Sequence, residues 1–182
     1  MTDAQLLELA EAAGFCAAVI PVEQVPVDAK FRAFCQENRC GQYNANYSCP
    51  PECGTVEQMH QRILFAEKAL VLQTQWDIDG YGDLQGIRRG KDAHNSATLR
   101  LAAKLQAMGY ETLCVGSSCC SLCETCKCCE GEPCVHPDLR YSCMSAYCVD
   151  VAKLAQLCGL AFAWDTKKLY PYGMIVLRER SK

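Results

Sequence analysis

The chain has 182 residues, half of them hydrophobic and 21% charged, a globular balance in a length suited to one domain. A net charge of −3 offers no global attraction for nucleic acid or an anionic membrane surface, and no apolar run approaches the ~20 residues of a spanning helix. Sixteen cysteines are the outlying feature. The N-terminal stretch carries no basic region ahead of an apolar one, so the expected location is the cytoplasm. Disulfides rarely persist there, and so dense a set of cysteines points to metal ligation or redox chemistry.

In chain order, Thr2 and Gln5 form a capping box for a first helix bearing Leu6, Leu7, Ala10 and Ala13, with Gly14 as its stop. Residues 15–20 read as a buried strand ended by Pro21. A first cysteine loop occupies 35–54. Thr55 and Gln58 open a second helix whose apolar positions are Val56, Met59, Ile63, Ala66 and Leu70, and residues 69–74 read as the next strand. The loop over 76–86 carries Asp77, Asp79 and Asp83, but Arg88 stands where a calcium loop needs glutamate, so a surface loop is expected.

A long helix follows over 87–108, with Ile87, His94, Leu101, Leu105 and Met108 on one stripe and Gly109 as its stop. The strand at 110–115 delivers the chain into a second cysteine loop, 114–148. Met144, Tyr147, Val151, Leu154 and Cys158 again step by three and four, closed by Gly159, and short strands are expected near 160–164 and 174–177. Two basic runs, Arg88, Arg89 and Lys91, then Arg178, Arg180 and Lys182, read as solvated surface. The pattern predicts a single α/β domain over 1–182: a small mixed sheet of four or five strands, covered by helices, with two cysteine-rich cluster-binding loops.

The second loop contains Cys120, Cys123 and Cys126 in a C-x2-C-x2-C run. A short loop of that spacing points every third side chain inward around one corner of a cubane, and bacterial ferredoxins use the same triplet. Cys134 follows as the fourth ligand and Pro137 comes three residues later, a partial match to the ferredoxin pattern. Zinc sites more often show two separated pairs. The first loop holds Cys35, Cys40, Cys49 and Cys53, with Gly41, Pro50, Pro51 and Gly54 supplying tight turns. Its spacing is compatible with a second cluster or with zinc.

The first loop, from Cys35 through Arg39, Cys40, Gly41, Tyr43 and Ser48 to Cys49, Pro50, Pro51, Cys53 and Gly54, resembles the first signature of a prokaryotic family of "predicted metal-binding proteins". The second signature resembles the segment from Gly116 through Cys120, Cys123, Cys126, Cys134 and Pro137 to Met144, Tyr147, Val149 and Asp150. The resemblance spans about residues 30–160. It implies metal binding by these cysteines, a histidine near the position of His94, and no particular reaction. Cys119, Cys128, Cys129, Cys143 and Cys148 exceed the family pattern. They are alternative ligands, members of a larger or third cluster, or small buried hydrophobes. Cys16, Cys114 and Cys158 fit packing positions.

His94, on an apolar helix stripe, is either a core residue or a cofactor neighbour able to donate a proton, and His136 is placed to donate to cluster sulfur. No phosphate-binding loop, dinucleotide fingerprint, nucleophile elbow or H-E-x-x-H motif is present. The expected function is electron transfer, or redox activation of a partner protein, by two 4Fe-4S clusters. The alternatives are an enzyme with an open iron that takes a small-molecule substrate, and a zinc- or iron-binding module without redox turnover. Neither nucleic acid nor membrane is an expected partner.

Overall fold

The computed structural model describes residues 1–180. Two strands are buried on both faces and therefore lie inside a sheet that helices cover on each side. In β2 (Lys68–Gln73), Ala69 and Val71 join one apolar cluster while Leu70 and Leu72 join another. In β7 (Tyr172–Glu179), Met174 and Val176 divide from Ile175 and Leu177 in the same way. With β1 (Cys16–Pro21), β4 (Tyr110–Gly116) and β5 (Ser142–Cys143), they form a five-stranded sheet of order β1-β2-β7-β4-β5. Neighbouring strands are antiparallel except β4 and β5, which pair in parallel through Val115–Ser142 and Gly116–Cys143.

One face packs on α1 (Asp3–Ala12) and α4 (Leu84–Ala107), burying Leu6, Ala10, Leu101 and Leu105. The other packs on α3 (Val56–Ile63), α5 (Val151–Cys158) and the turn at 144–149, burying Met59, Ile63, Tyr147 and Leu154. Both capping boxes form as expected, Thr2 with Gln5 and Thr55 with Gln58. A short helix α2 (Arg32–Gln36) lies in the first cysteine loop. A two-stranded ribbon of β3 (Trp76–Asp77) and β6 (Lys168–Leu169) rests its Trp76 and Leu169 side chains on Gly90 of α4. Among the described residues no helix is long and apolar enough to cross a membrane.

Four expectations need correction. The second helix ends at Ile63; Ala66 and Leu70 are buried, but from a turn and from β2. The long helix begins earlier, at Leu84, because Asp83 caps it by accepting from Gly86 N at 2.8 Å, and its inward face starts with Gly86 and Gly90, while Met108 is exposed. The expected helix from Met144 begins only at Val151: Asp150 caps it, and Cys148 just before has φ +56°, which a right-handed helix excludes. Residues 160–164 form no strand. They run exposed alongside the sheet, tied to it where Ala161 O accepts hydrogen bonds from Gln73 Nε2 and from Tyr172 Oη at 2.6 Å. Of the basic residues, Arg88 pairs with Asp92 and Arg178 with Glu111, and Lys182 lies outside the described residues.

Candidate metal centre

The two cysteine loops, sixty residues apart in sequence, dock directly on each other. Buried Asn46 donates through Nδ2 to Cys120 O at 3.1 Å, and buried Ser48 Oγ accepts from Cys120 N at 2.9 Å. Tyr47 Oη donates to Glu132 O at 2.8 Å, and Cys129 Sγ to Ala45 O at 3.2 Å. The first loop is braced internally by Asn44 N to Pro50 O and by Ser48 N to Asn46 Oδ1. Helix α4 anchors the start of the second loop. Asn95 Oδ1 accepts from Ser117 N at 2.8 Å, while its Nδ2 donates to Ser118 Oγ and Tyr141 Oη. The fit is close, since a Cβ on Gly116 would stand 2.7 Å from the Tyr141 ring.

Cys120, Cys123, Cys126 and Cys134 line a single cavity, and Tyr47, His136 and Arg140 stand beside them in its wall. His136 is exposed, and the Arg140 guanidinium lies over the Tyr47 ring, 5.8 Å from its centre. Among the described residues no three His, Cys, Asp or Glu side chains converge as a single metal ion requires.

The first loop's cysteines keep more varied company than their spacing suggests. Arg32 and Cys35, three apart on α2, face the turn at 144–149: Arg32 Nη2 donates to Ala146 O at 3.0 Å and Cys35 Sγ to Ser145 O at 3.8 Å. Arg32 Nη1 also donates to Cys53 Sγ at 3.8 Å. Cys49 Sγ instead stands 3.8 Å from Ser48 Oγ, the atom that accepts from Cys120 N, and lies close to Cys119 and Cys143. Cys119, Cys143 and Cys148, which exceed the family pattern, are thus interleaved with the first loop's four.

Residues 18–177 match the family model described as "Predicted metal-binding protein (DUF2284)". The chain belongs to this family. No curated protein and no solved structure shows significant similarity to it. Both cysteine loops lie within the span matched to this predicted metal-binding family, whereas Cys16 and α1 fall outside it. Cys16 is exposed on the edge strand β1 rather than packed; Cys114 and Cys158 pack against the two apolar clusters, as expected.

Thiols bind metal as thiolates, so a site's affinity depends on what holds their protons. Burial pushes Cys143 up to about 11 and raises Cys35, Cys120 and Cys148. Cys49 is raised by the hydrogen bond it donates to Cys119, and the same bond holds Cys119 down at about 7. At Arg32, burial works against the charge. The hydrogen bond to Cys53 and the nearby Cys148, Cys53 and Cys35 outweigh it and raise the pKa. A metal that binds at any of these thiols has to displace its proton.

His94, expected either in the core or beside a cofactor, is enclosed in the core. Its Nδ1 lies 2.9 Å from Thr74 Oγ1, Phe15 meets the ring edge-on at 5.4 Å, and Nε2 has no partner. Burial takes its pKa down to about 4. Its neighbour Asn95, not His94, reaches the cysteine loop. Sequence reasoning missed Asn46, Asn95, Arg32 and Arg140, and it named Ser48 within the first signature without a role. Only Arg32 left a signal, its three-residue offset from Cys35.

Proposed function

We propose that the chain is an iron–sulfur protein with two 4Fe-4S clusters, which passes electrons to or from a redox partner or activates that partner by reduction. The observation that carries this reading is the cavity shared by Cys120, Cys123, Cys126 and Cys134. The C-x2-C-x2-C run followed by a later fourth cysteine is the ligand pattern of a cubane, and these are the residues that line the cavity. The first loop, with Cys35, Cys40, Cys49 and Cys53 and the cysteines interleaved with them, supplies donors for the second cluster.

When bound, each cluster supplies a one-electron couple tuned by charge, burial and hydrogen bonds to sulfur. The protein's own residues do the rest. Asn46, Ser48 and Asn95 hold the loops in register, while Arg32 and Arg140 set positive charge beside each group of thiols. Direct hydrogen bonds between the loops favour electron exchange between neighbouring sites.

A second reading, an enzyme with an open iron, draws on the same cavity. There an exposed His136 and a guanidinium stand ready to donate a proton to, and hold, a small anionic substrate.

The test is spectroscopic. Protein purified without oxygen should absorb broadly in the visible, bleach on reduction and show reduced-cluster EPR signals, and Cys123→Ala should lose about half of that absorbance. A reduced spectrum that shifts when a small substrate is added favours the enzyme. A colourless protein contradicts both readings.

A further inference from the structure

Four cysteines in sequence order suggest one ligand set for the first loop, but the fold sorts them differently. The turn at 144–149 is clamped onto the first loop from two sides. Arg32 and Cys35 bond to the carbonyls of Ala146 and Ser145. Asp28 N donates to Cys148 O at 2.9 Å, and Asp150 N to Pro26 O at 2.8 Å. Cys148 is fully buried inside this clamp, and its own N–H is spent on Ser145 O at 3.0 Å.

Its backbone sits at φ +56°, the left-handed region that an L side chain enters at a cost and that glycine enters freely. Such strain persists where surroundings hold it, often at functional sites. Here it turns a thiol inward that a glycine at this turn would lack.

Around that thiol the chemistry converges. The Arg32 guanidinium hydrogen-bonds Cys53 at 3.8 Å and reaches Cys148 as well, and its Nε is buried with no partner. Cys35 Sγ and Cys148 N converge on one atom, Ser145 O, at 3.8 and 3.0 Å, which holds the two cysteines side by side. Cys49 faces the other loop: its Sγ stands 3.8 Å from Ser48 Oγ, the atom that accepts from Cys120 N at 2.9 Å.

We infer that Cys148 is a ligand of the first metal centre, completing a set with Cys35, Cys40 and Cys53 under the Arg32 guanidinium, and that Cys49 lies outside that set. This deepens the two-cluster reading and rests on it for the nature of the metal, not for the choice of ligands. Four thiolates around iron and sulfide leave a net negative centre, and Arg32 is the cation already hydrogen-bonded among them. Cys49 then remains at the junction of the two loops, beside the Ser48 hydroxyl that holds Cys120 N.

The experiment compares wild type, Cys148→Gly, Cys148→Asn and Cys49→Ala, each reconstituted without oxygen with iron and sulfide. Metal and sulfide per chain and the reduced EPR spectrum are read for each, with the unfolding midpoint of each metal-free chain. Glycine and asparagine both tolerate the left-handed backbone, so each metal-free variant should still unfold in one cooperative transition, its midpoint lowered only by the lost packing of one small buried side chain. Both should lose about half of the iron and sulfide and one EPR signal, while Cys49→Ala keeps the wild-type content. Full metal in the Cys148 variants, or loss in Cys49→Ala as large as theirs, overturns the assignment. If wild type takes up zinc and no sulfide, the cluster reading fails, and the same comparison on zinc per chain still decides the ligand.

Discussion

At the scale of single residues, His94 shows how burial alone sets a titration. With its folded pKa at about 4 and an unfolded value near 6.5, the unfolded chain binds a proton across that window that the folded chain refuses. Its stabilisation is therefore full above about pH 6.5 and is lost as pH falls toward 4, a change on the order of 3 kcal/mol. Urea unfolding of the metal-free protein at several pH values should show this drop, and His94→Gln should flatten it. An unchanged slope would mean the ring is not shielded as described. Gly173 is held by the same ring. A Cβ there would lie 2.7 Å from His94 Nε2 and 2.8 Å from Val115 O, and the backbone carbonyl has no room to yield. Gly173→Ala should cost about 1–3 kcal/mol of stability, read from the denaturant midpoint.

Arg32 makes the electrostatic prediction. A charge-assisted hydrogen bond contributes about 1.5–3 kcal/mol, so Arg32→Gln should lower one centre's one-electron reduction potential by up to roughly 65–130 mV. Iron content should stay at the wild-type level, as redox titration with metal analysis would check.

At the scale of elements, the periodic segments were readable where local chemistry and packing agree. Thr2 and Thr55 announce helices that form with their capping boxes intact, and β2, β4 and β7 lie within two residues of their expected bounds. Thr55→Ala should destabilise the chain by about 1 kcal/mol, since it frees Gln58 N directly after the last cysteine of the first loop; thermal unfolding of the metal-free protein would measure it.

The misreadings have physical causes. Met144 and Tyr147 keep helical spacing because both are buried, but they are buried from a turn that bonds to Pro26 and Asp28 instead of continuing α5. Residues 160–164 have strand composition without a free strand edge beside them. No local pattern carries that information.

At the scale of the whole molecule, the candidate site was half legible. The C-x2-C-x2-C run with Cys134 is a local motif, and those four thiols do share one cavity. The regrouping of Cys35, Cys53 and Cys148, and of Cys49 with Cys119, depends on how the turn before α5 docks against α2, a contact more than a hundred residues long in sequence. Spacing within one loop does not encode it. The sheet explains part of the meeting place: β4 leads into the second loop, and β5, paired with its end, leads out into the turn at 144–149 that receives Arg32 and Cys35.

The account rests on these thiols holding iron and inorganic sulfide. Iron, zinc and acid-labile sulfide counted per chain after purification without oxygen test it most directly. Two clusters predict about eight irons and eight sulfides, four of each per cluster. Zinc with no sulfide would contradict it.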